Sequence, residues 1–248
     1  MKKETLIKIV VLLSVAATIV VNILANALPI NGLTTKELSD AIPIYFVPAG
    51  YVFSIWGVIY LGLIYYSIFL FKKFEKVDEE VFPWFILSSL ANICWIVLWH
   101  YQKVALSVIP MILLLLSLLM IYSHMDSKNY TKLKRIPFQI YLGWISVATI
   151  ANIAGALHIF KCCTMGVPEE IWAVVMIGVA TMLSILMTSI KKDIFYPLVI
   201  IWAVTGILIH SFSLSDIVTG ASMVSIISIL INLFANTYCK KETITEKK

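Results

Sequence analysis

Tryptophan and asparagine carry the chemistry that this sequence offers. Asn92 and Trp95 are three residues apart and Trp99 follows four later, which puts all three on one face if the segment is a helix. Trp144 and Asn152, eight apart and so slightly over two turns, share a face in the same way. Trp56 lies well inside the apolar run 41–71, and Asn22 adds one more amide. Rings and amides of this kind do not move protons at neutral pH. They can line a cavity with π-faces and a few hydrogen bonds, which suits a flat, largely apolar molecule. The same residues serve equally well as packing and interhelical hydrogen bonds, because an unpaired amide is costly in an apolar medium.

Other chemistries lack their parts. His100, His124, His158 and His210 have no ligand partner at i+3 or i+4 and fall at segment ends, where they read as interfacial polar caps. Cys94 reads as buried, Cys239 lies near the C-terminus, and the adjacent Cys162 and Cys163 are poorly placed to bridge each other. No phosphate-binding glycine loop, nucleophile elbow or H-E-x-x-H pair occurs. A hydrolase or an ATP-driven machine therefore has no support, no metal site is expected, and no cofactor is required.

The elements that must position the rings follow from hydropathy. Of 248 residues 60% are hydrophobic and 13% charged, with a mean hydropathy of +0.95. Soluble domains are about 25% charged, so a water-soluble globule is excluded. The charges leave uncharged runs at 9–35, 41–71, 81–102, 104–125, 136–160, 171–190, 194–215 and 217–239. A helix needs roughly 20 apolar residues to cross a hydrocarbon layer about 30 Å thick, and these runs lack the alternation of barrel strands. The expected fold is an all-α integral membrane protein of eight transmembrane helices, near 7–27, 48–71, 82–101, 104–124, 136–158, 170–190, 194–211 and 215–236. Short connections make successive helices antiparallel neighbours.

Lysine and arginine divide sixteen to three between alternate connections, which predicts both termini in the cytoplasm and a multi-pass protein of the cell (plasma) membrane. The net charge of +5 is then explained by an anionic leaflet, with no nucleic-acid partner. Lys2-Lys3, an apolar core and Ala25-Asn26-Ala27 also resemble a signal peptide. The apolar stretch from Ile9 to Leu28 exceeds the usual length of about 7–15 residues, however, and reads as a retained helix. Pro48, Pro83, Pro137, Pro168 and Pro197 are expected at or near helix starts, and Pro110 inside the fourth span. Residues 28–47 form the one long connection. In it Thr34-Thr35-Lys36-Glu37 reads as the capping box of a short helix, and ordered loops of that length usually carry function.

Three stretches carry a family resemblance: Tyr45-Phe46-Val47-Pro48-Ala49-Gly50-Tyr51-Val52-Phe53-Ser54-Ile55-Trp56-Gly57-Val58-Ile59-Tyr60; Ala91-Asn92-Ile93-Cys94-Trp95 with Trp99; and Tyr141-Leu142-Gly143-Trp144 through Ala148-Thr149-Ile150-Ala151-Asn152. In order and spacing they resemble the tryptophan-rich sensory protein family, relatives of the translocator protein or peripheral benzodiazepine receptor. The resemblance implies a five-helix core, residues 1–158, binding porphyrins, heme-related tetrapyrroles or sterol-like lipids beneath the first external loop. Residues 159–248 would add three transmembrane helices. The ligand-binding candidates are then Tyr45, Phe46, Tyr51, Trp56, Tyr60, Asn92, Trp95, Trp99, Trp144, Ala148 and Asn152. Tyr45 or Phe46 replaces the family's loop tryptophan, so the porphyrin breakdown linked to that residue is not carried over. Phe160-Lys161-Cys162-Cys163 does not reproduce the sterol-recognition pattern after the fifth helix.

The functional expectation is a membrane receptor or carrier for a flat hydrophobic ligand, a porphyrin or heme-related molecule bound as ligand. Membrane lipids and a second copy of the chain, as a homodimer, are the expected partners. The alternative is a secondary transporter or flippase of lipids or small metabolites, hinged at Pro110 and Pro197. A third reading is a membrane enzyme acting on the bound pigment, for which no catalytic residue is identifiable.

Overall fold

A computed structural model describes residues 2–27, 30–126, 130–160 and 166–245, with side chains described as far as residue 236. Cys162, Cys163 and the Cys239 side chain lie outside the described residues. The described regular structure is helical: α1 (Lys3–Ala27), α2 (Thr35–Asp40), α3 (Ile55–Lys72), α4 (Lys76–His100), α5 (Val104–Met125), α6 (Lys132–Ile159), α7 (Glu169–Lys191), α8 (Phe195–Ser211) and α9 (Asp216–Thr245). Short 3-10 turns at Ile30–Gly32 and Gly50–Ser54 precede α2 and α3. The chain is an all-α, multi-pass membrane protein. Among the described residues seven helices are long and apolar enough to cross a membrane, and α8 is a further, shorter apolar helix. At 17 residues it is about 26 Å long. Lipid offers no partner to backbone N–H and C=O groups, so long apolar runs close their own hydrogen bonds as helices.

Two helices start earlier than hydropathy predicts. α4 begins at Lys76 and α6 at Lys132, so Pro83 and Pro137 lie more than a turn inside them instead of at their starts. The extra turns are polar, and tertiary pairing stabilises them: Asp78 and Lys134 are buried against each other. Within α4, Cys94 is exposed while its neighbour Trp95 is buried. This reverses the expectation for Cys94, which stands on the outward side of the helix. His100 is likewise buried and not an interfacial cap. Its Nδ1 lies 2.8 Å from the Ile96 carbonyl, which places the proton on Nδ1.

The chain divides into two compact units, Met1–Pro43 with Phe53–Cys162, and Ile44–Val52 with Cys163–Lys248. In the first unit α5 packs between α4 and α6, α1 lies on α4 and α3, and α3 crosses α6. Gly62 makes that crossing close, since a Cβ there would stand 3.0 Å from Pro137 Cβ. The capping box before α2 forms as expected: Glu37 accepts from Thr34 N–H at 2.7 Å, and Thr34 Oγ1 accepts from Glu37 N–H at 3.3 Å. α2 lies against α4, tied to α1 by Thr35 N–H donating to Asn26 Oδ1 at 3.2 Å. α1 is thus built into the unit. In the second unit α9 packs on α7 and α8. Asp193 caps α8, accepting from the backbone N–H groups of Phe195 and Tyr196 at 2.9 and 3.1 Å.

Candidate functional site

Within the first unit, α3, α4 and α6 bring the predicted rings together. Trp56, in the first turn of α3, stacks on Tyr60 with 5.7 Å between centroids and on Trp95 of α4 at 6.1 Å. Trp95 in turn stacks on Trp99 at 5.9 Å. From α6, Tyr141 and Trp144 meet Trp56 edge-on at 6.0 and 6.2 Å, and Phe53 meets Trp144 at 6.0 Å. Offset stacks and edge-to-face pairs are the arrangements that aromatic quadrupoles favour, each adding roughly 0.5–1.5 kcal/mol beyond burial. Trp95, Trp99 and Trp144 are buried, while Trp56, Tyr60 and Ala148 are half-buried. The i, i+3 and i+4 spacings in α4 and α6 place each set of residues on one helix face.

The amides accompany the rings and are already engaged. Asn22 of α1 donates to Asn92 Oδ1 at 2.7 Å, and Asn92 donates to the Tyr141 hydroxyl at 3.0 Å. Asn152 Oδ1 accepts from the Trp95 indole N–H at 3.2 Å, and its Nδ2 donates to Ser107 Oγ of α5 at 3.0 Å. All three asparagines are buried. Their hydrogen bonds join helices, so they act first as interhelical ties. The indole N–H groups of Trp99 and Trp144 behave differently, being buried with no acceptor among the described residues. They are the donors that the cluster leaves free.

Tyr45, Phe46 and Tyr51 belong to the other unit. Phe46 is buried and Tyr45 half-buried, and Tyr51 packs edge-on against Trp202 at 4.8 Å. Two open apolar grooves lie elsewhere. One of about 400 Å³ runs between α3 and α6 past Gly62 and Pro137. Another of about 560 Å³ runs between α7 and α9 past Gly178 and Ser225. Among the described residues no His, Cys, Asp and Glu group could hold a metal ion.

Sequence reasoning missed several partners. Tyr141 was legible, three residues before Trp144 on the same face, whereas Ser107 carried no signal. The larger omission is ionic. Asp78 accepts from Tyr130 Oη at 2.6 Å and Lys134 Nζ at 2.7 Å, and Lys134 also reaches Glu75 at 3.2 Å. Burial pushes the Glu75 carboxyl up, but hydrogen bonds from Lys73, Lys134 and Thr131 outweigh it and hold the group below its ordinary value. The available signal was Glu75-x-x-Asp78, an acidic variant of the capping box whose two reciprocal bonds both form.

A family model described as TSPO-like protein matches residues 8–235. No curated protein and no solved structure matches the chain.

Proposed function

The chain belongs to the TSPO-like protein family, and from that premise we propose that it is a receptor or carrier in the cell membrane for a flat hydrophobic ligand of the tetrapyrrole or sterol-like class. Family and aromatic cluster together fit a membrane ligand-binding protein. The observation that carries the finer reading is the run of four stacked rings, Tyr60, Trp56, Trp95 and Trp99, beside two buried indole N–H groups without acceptors. A planar ring system can add to such a stack. Acceptor atoms on its rim would relieve the unpaired donors, each of which is costly while buried and unmade. In this reading Trp56, Tyr60, Trp95, Trp99 and Trp144 touch the ligand, and Asn92, Ala148 and Asn152 hold the helices that present them. No prosthetic group is required, and membrane lipids and a second copy of the chain are the proposed partners.

Titration of the purified protein with protoporphyrin IX, read by quenching of indole fluorescence, tests the reading. Saturable quenching is expected, with the affinity weakened at least about tenfold in Trp56→Leu and in Trp144→Leu by loss of ring contact. Quenching that survives unchanged in both variants would remove the ligand from this cluster. Accumulation of the probe in vesicles that collapses with an ion gradient would instead support the secondary-transporter alternative.

A further inference from the structure

The apolar groove between α3 and α6 lies wholly within the first unit. Val58, Leu61 and Tyr65 line it from α3, and Leu133, Ile136 and Ile140 from α6. Gly62 brings the two helices together here, because its missing Cβ is what lets α3 approach Pro137. Val58, Leu61, Tyr65 and Leu133 are nevertheless exposed. The chain itself leaves the hollow open.

One end of this hollow carries unpaired positive charge. Lys72 follows Tyr65 by seven residues and so continues the lined face of α3. Lys132 stands one turn before Ile136 on the lined face of α6. Lys73 Nζ donates to Thr131 Oγ1 at 2.9 Å, which ties the end of α3 to the start of α6 and brings both faces to one mouth. The neighbouring cations are engaged: Lys73 with Glu75, Lys134 with Asp78 and Glu75, Arg135 with Asp126. Lys72 and Lys132 are exposed and have no carboxylate partner among the described residues.

Depth and charge together select the occupant. Val58 lies fourteen residues from Lys72, about 21 Å along the helix axis. Half of a bilayer with its headgroups is about 20–22 Å thick, so the lining spans one leaflet and the lysines stand at its polar surface. A second copy meeting this face across a two-fold axis would bring its own Lys72 and Lys132 to the same mouth, adding like charge. A lipid with a net negative headgroup supplies both the apolar chain and the counter-charge, as at other basic sites between transmembrane helices. We propose that the α3–α6 groove binds an anionic phospholipid, one acyl chain lying between the two helices and the phosphate held by Lys72 and Lys132. This is a site separate from the aromatic cluster.

Native mass spectrometry of the full chain in detergent, titrated with dioleoyl phosphatidylglycerol or dioleoyl phosphatidylcholine, tests the proposal. Phosphatidylglycerol is expected to bind about twentyfold more tightly, roughly fivefold for each lysine. Lys72→Gln and Lys132→Gln should each remove about fivefold, and the double variant should bring the two lipids level. Lys2→Gln makes the same charge change just before α1 and should leave the preference intact. Leu133→Trp keeps both lysines but fills the groove, and should weaken phosphatidylglycerol about tenfold by displacing buried methylenes. If Leu133→Trp does not fold, Leu61→Trp replaces it from the opposite wall.

Equal affinity for the two lipids overturns the proposal, as does a preference that survives in the double lysine variant or falls as far in Lys2→Gln. Unchanged binding in the groove-filling variant separates the charge from the hollow and also overturns it. Displacement of the lipid by glycerol phosphate at equal concentration would show that the headgroup alone is recognised, and a dimer that excludes phosphatidylglycerol would give the groove to a second copy. Either result removes the lipid from this site. None of these measurements uses a porphyrin, so the ligand reading above and this site fail separately.

Discussion

Asn22, Asn92 and Asn152 illustrate how a polar residue in an apolar helix divides its work. Each amide could face a ligand or a neighbouring helix, and in the fold each finds a partner on another helix or is found by one. Asn152→Leu keeps the volume but leaves the Trp95 N–H without its acceptor, an expected loss of about 1–3 kcal/mol in stability. Thermal unfolding in detergent checks it, and a protein of unaltered stability would argue that the tie is unimportant. Asp78 is the more demanding case. Asp78→Asn leaves Lys134, fully buried, without its closest counter-charge, and removing one partner of a buried ion pair costs about 3–5 kcal/mol. The expected result is a large drop in unfolding temperature, partly recovered in Asp78→Asn/Lys134→Met, which removes the stranded charge.

At the scale of elements, two local devices govern how the helices meet. The first is the cap of α2. The Glu37 carboxyl is held below its ordinary value, first by the Thr34 backbone N–H and then by the Thr34 hydroxyl. A group so depressed stabilises the fold above its unfolded value, near pH 4.3, and loses that contribution as pH falls through its folded value. Hydrogen exchange in α2 should therefore accelerate below about pH 4 relative to the intrinsic rate, and Thr34→Ala should show accelerated exchange already at neutral pH. The second device is the α3–α6 crossing at Gly62 and Pro137. Proline cannot yield, so Gly62→Val must push α3 outward and separate Trp56 from Trp144. A blue-shifted or intensified indole emission would report the loss of stacking, and an unchanged spectrum would show that the crossing adapts.

For the whole molecule, the question is how many times the chain crosses the membrane. Seven helices have ample length and α8 is short. If α8 crosses, eight passes put both termini on one side, as the charge bias predicts. Impermeant labelling of single-cysteine variants near residue 2 and near residue 240 in intact cells should then find both protected. Labelling of one and not the other would mean an odd number of passes, with α8 failing to span.

Hydropathy alone determined the class, the approximate helices and their order, because in lipid a long apolar run has no stable alternative to a helix. Spacing alone identified the ring and amide faces of α4 and α6, because i, i+3 and i+4 are neighbours on any helix. The Thr34-x-x-Glu37 cap was equally legible, being a local motif whose partners are fixed by sequence distance. What only tertiary structure decided involves residues far apart in the chain. Asn152 is satisfied by Trp95 and Ser107, which no spacing rule could select. Asp78 and Lys134, 56 residues apart, extend α4 and α6 past Pro83 and Pro137 into sequence that hydropathy reads as loop. Residues 44–52 group with helices more than a hundred positions later, because a glycine on α8 leaves room for backbone, and that room is a property of the packed surface.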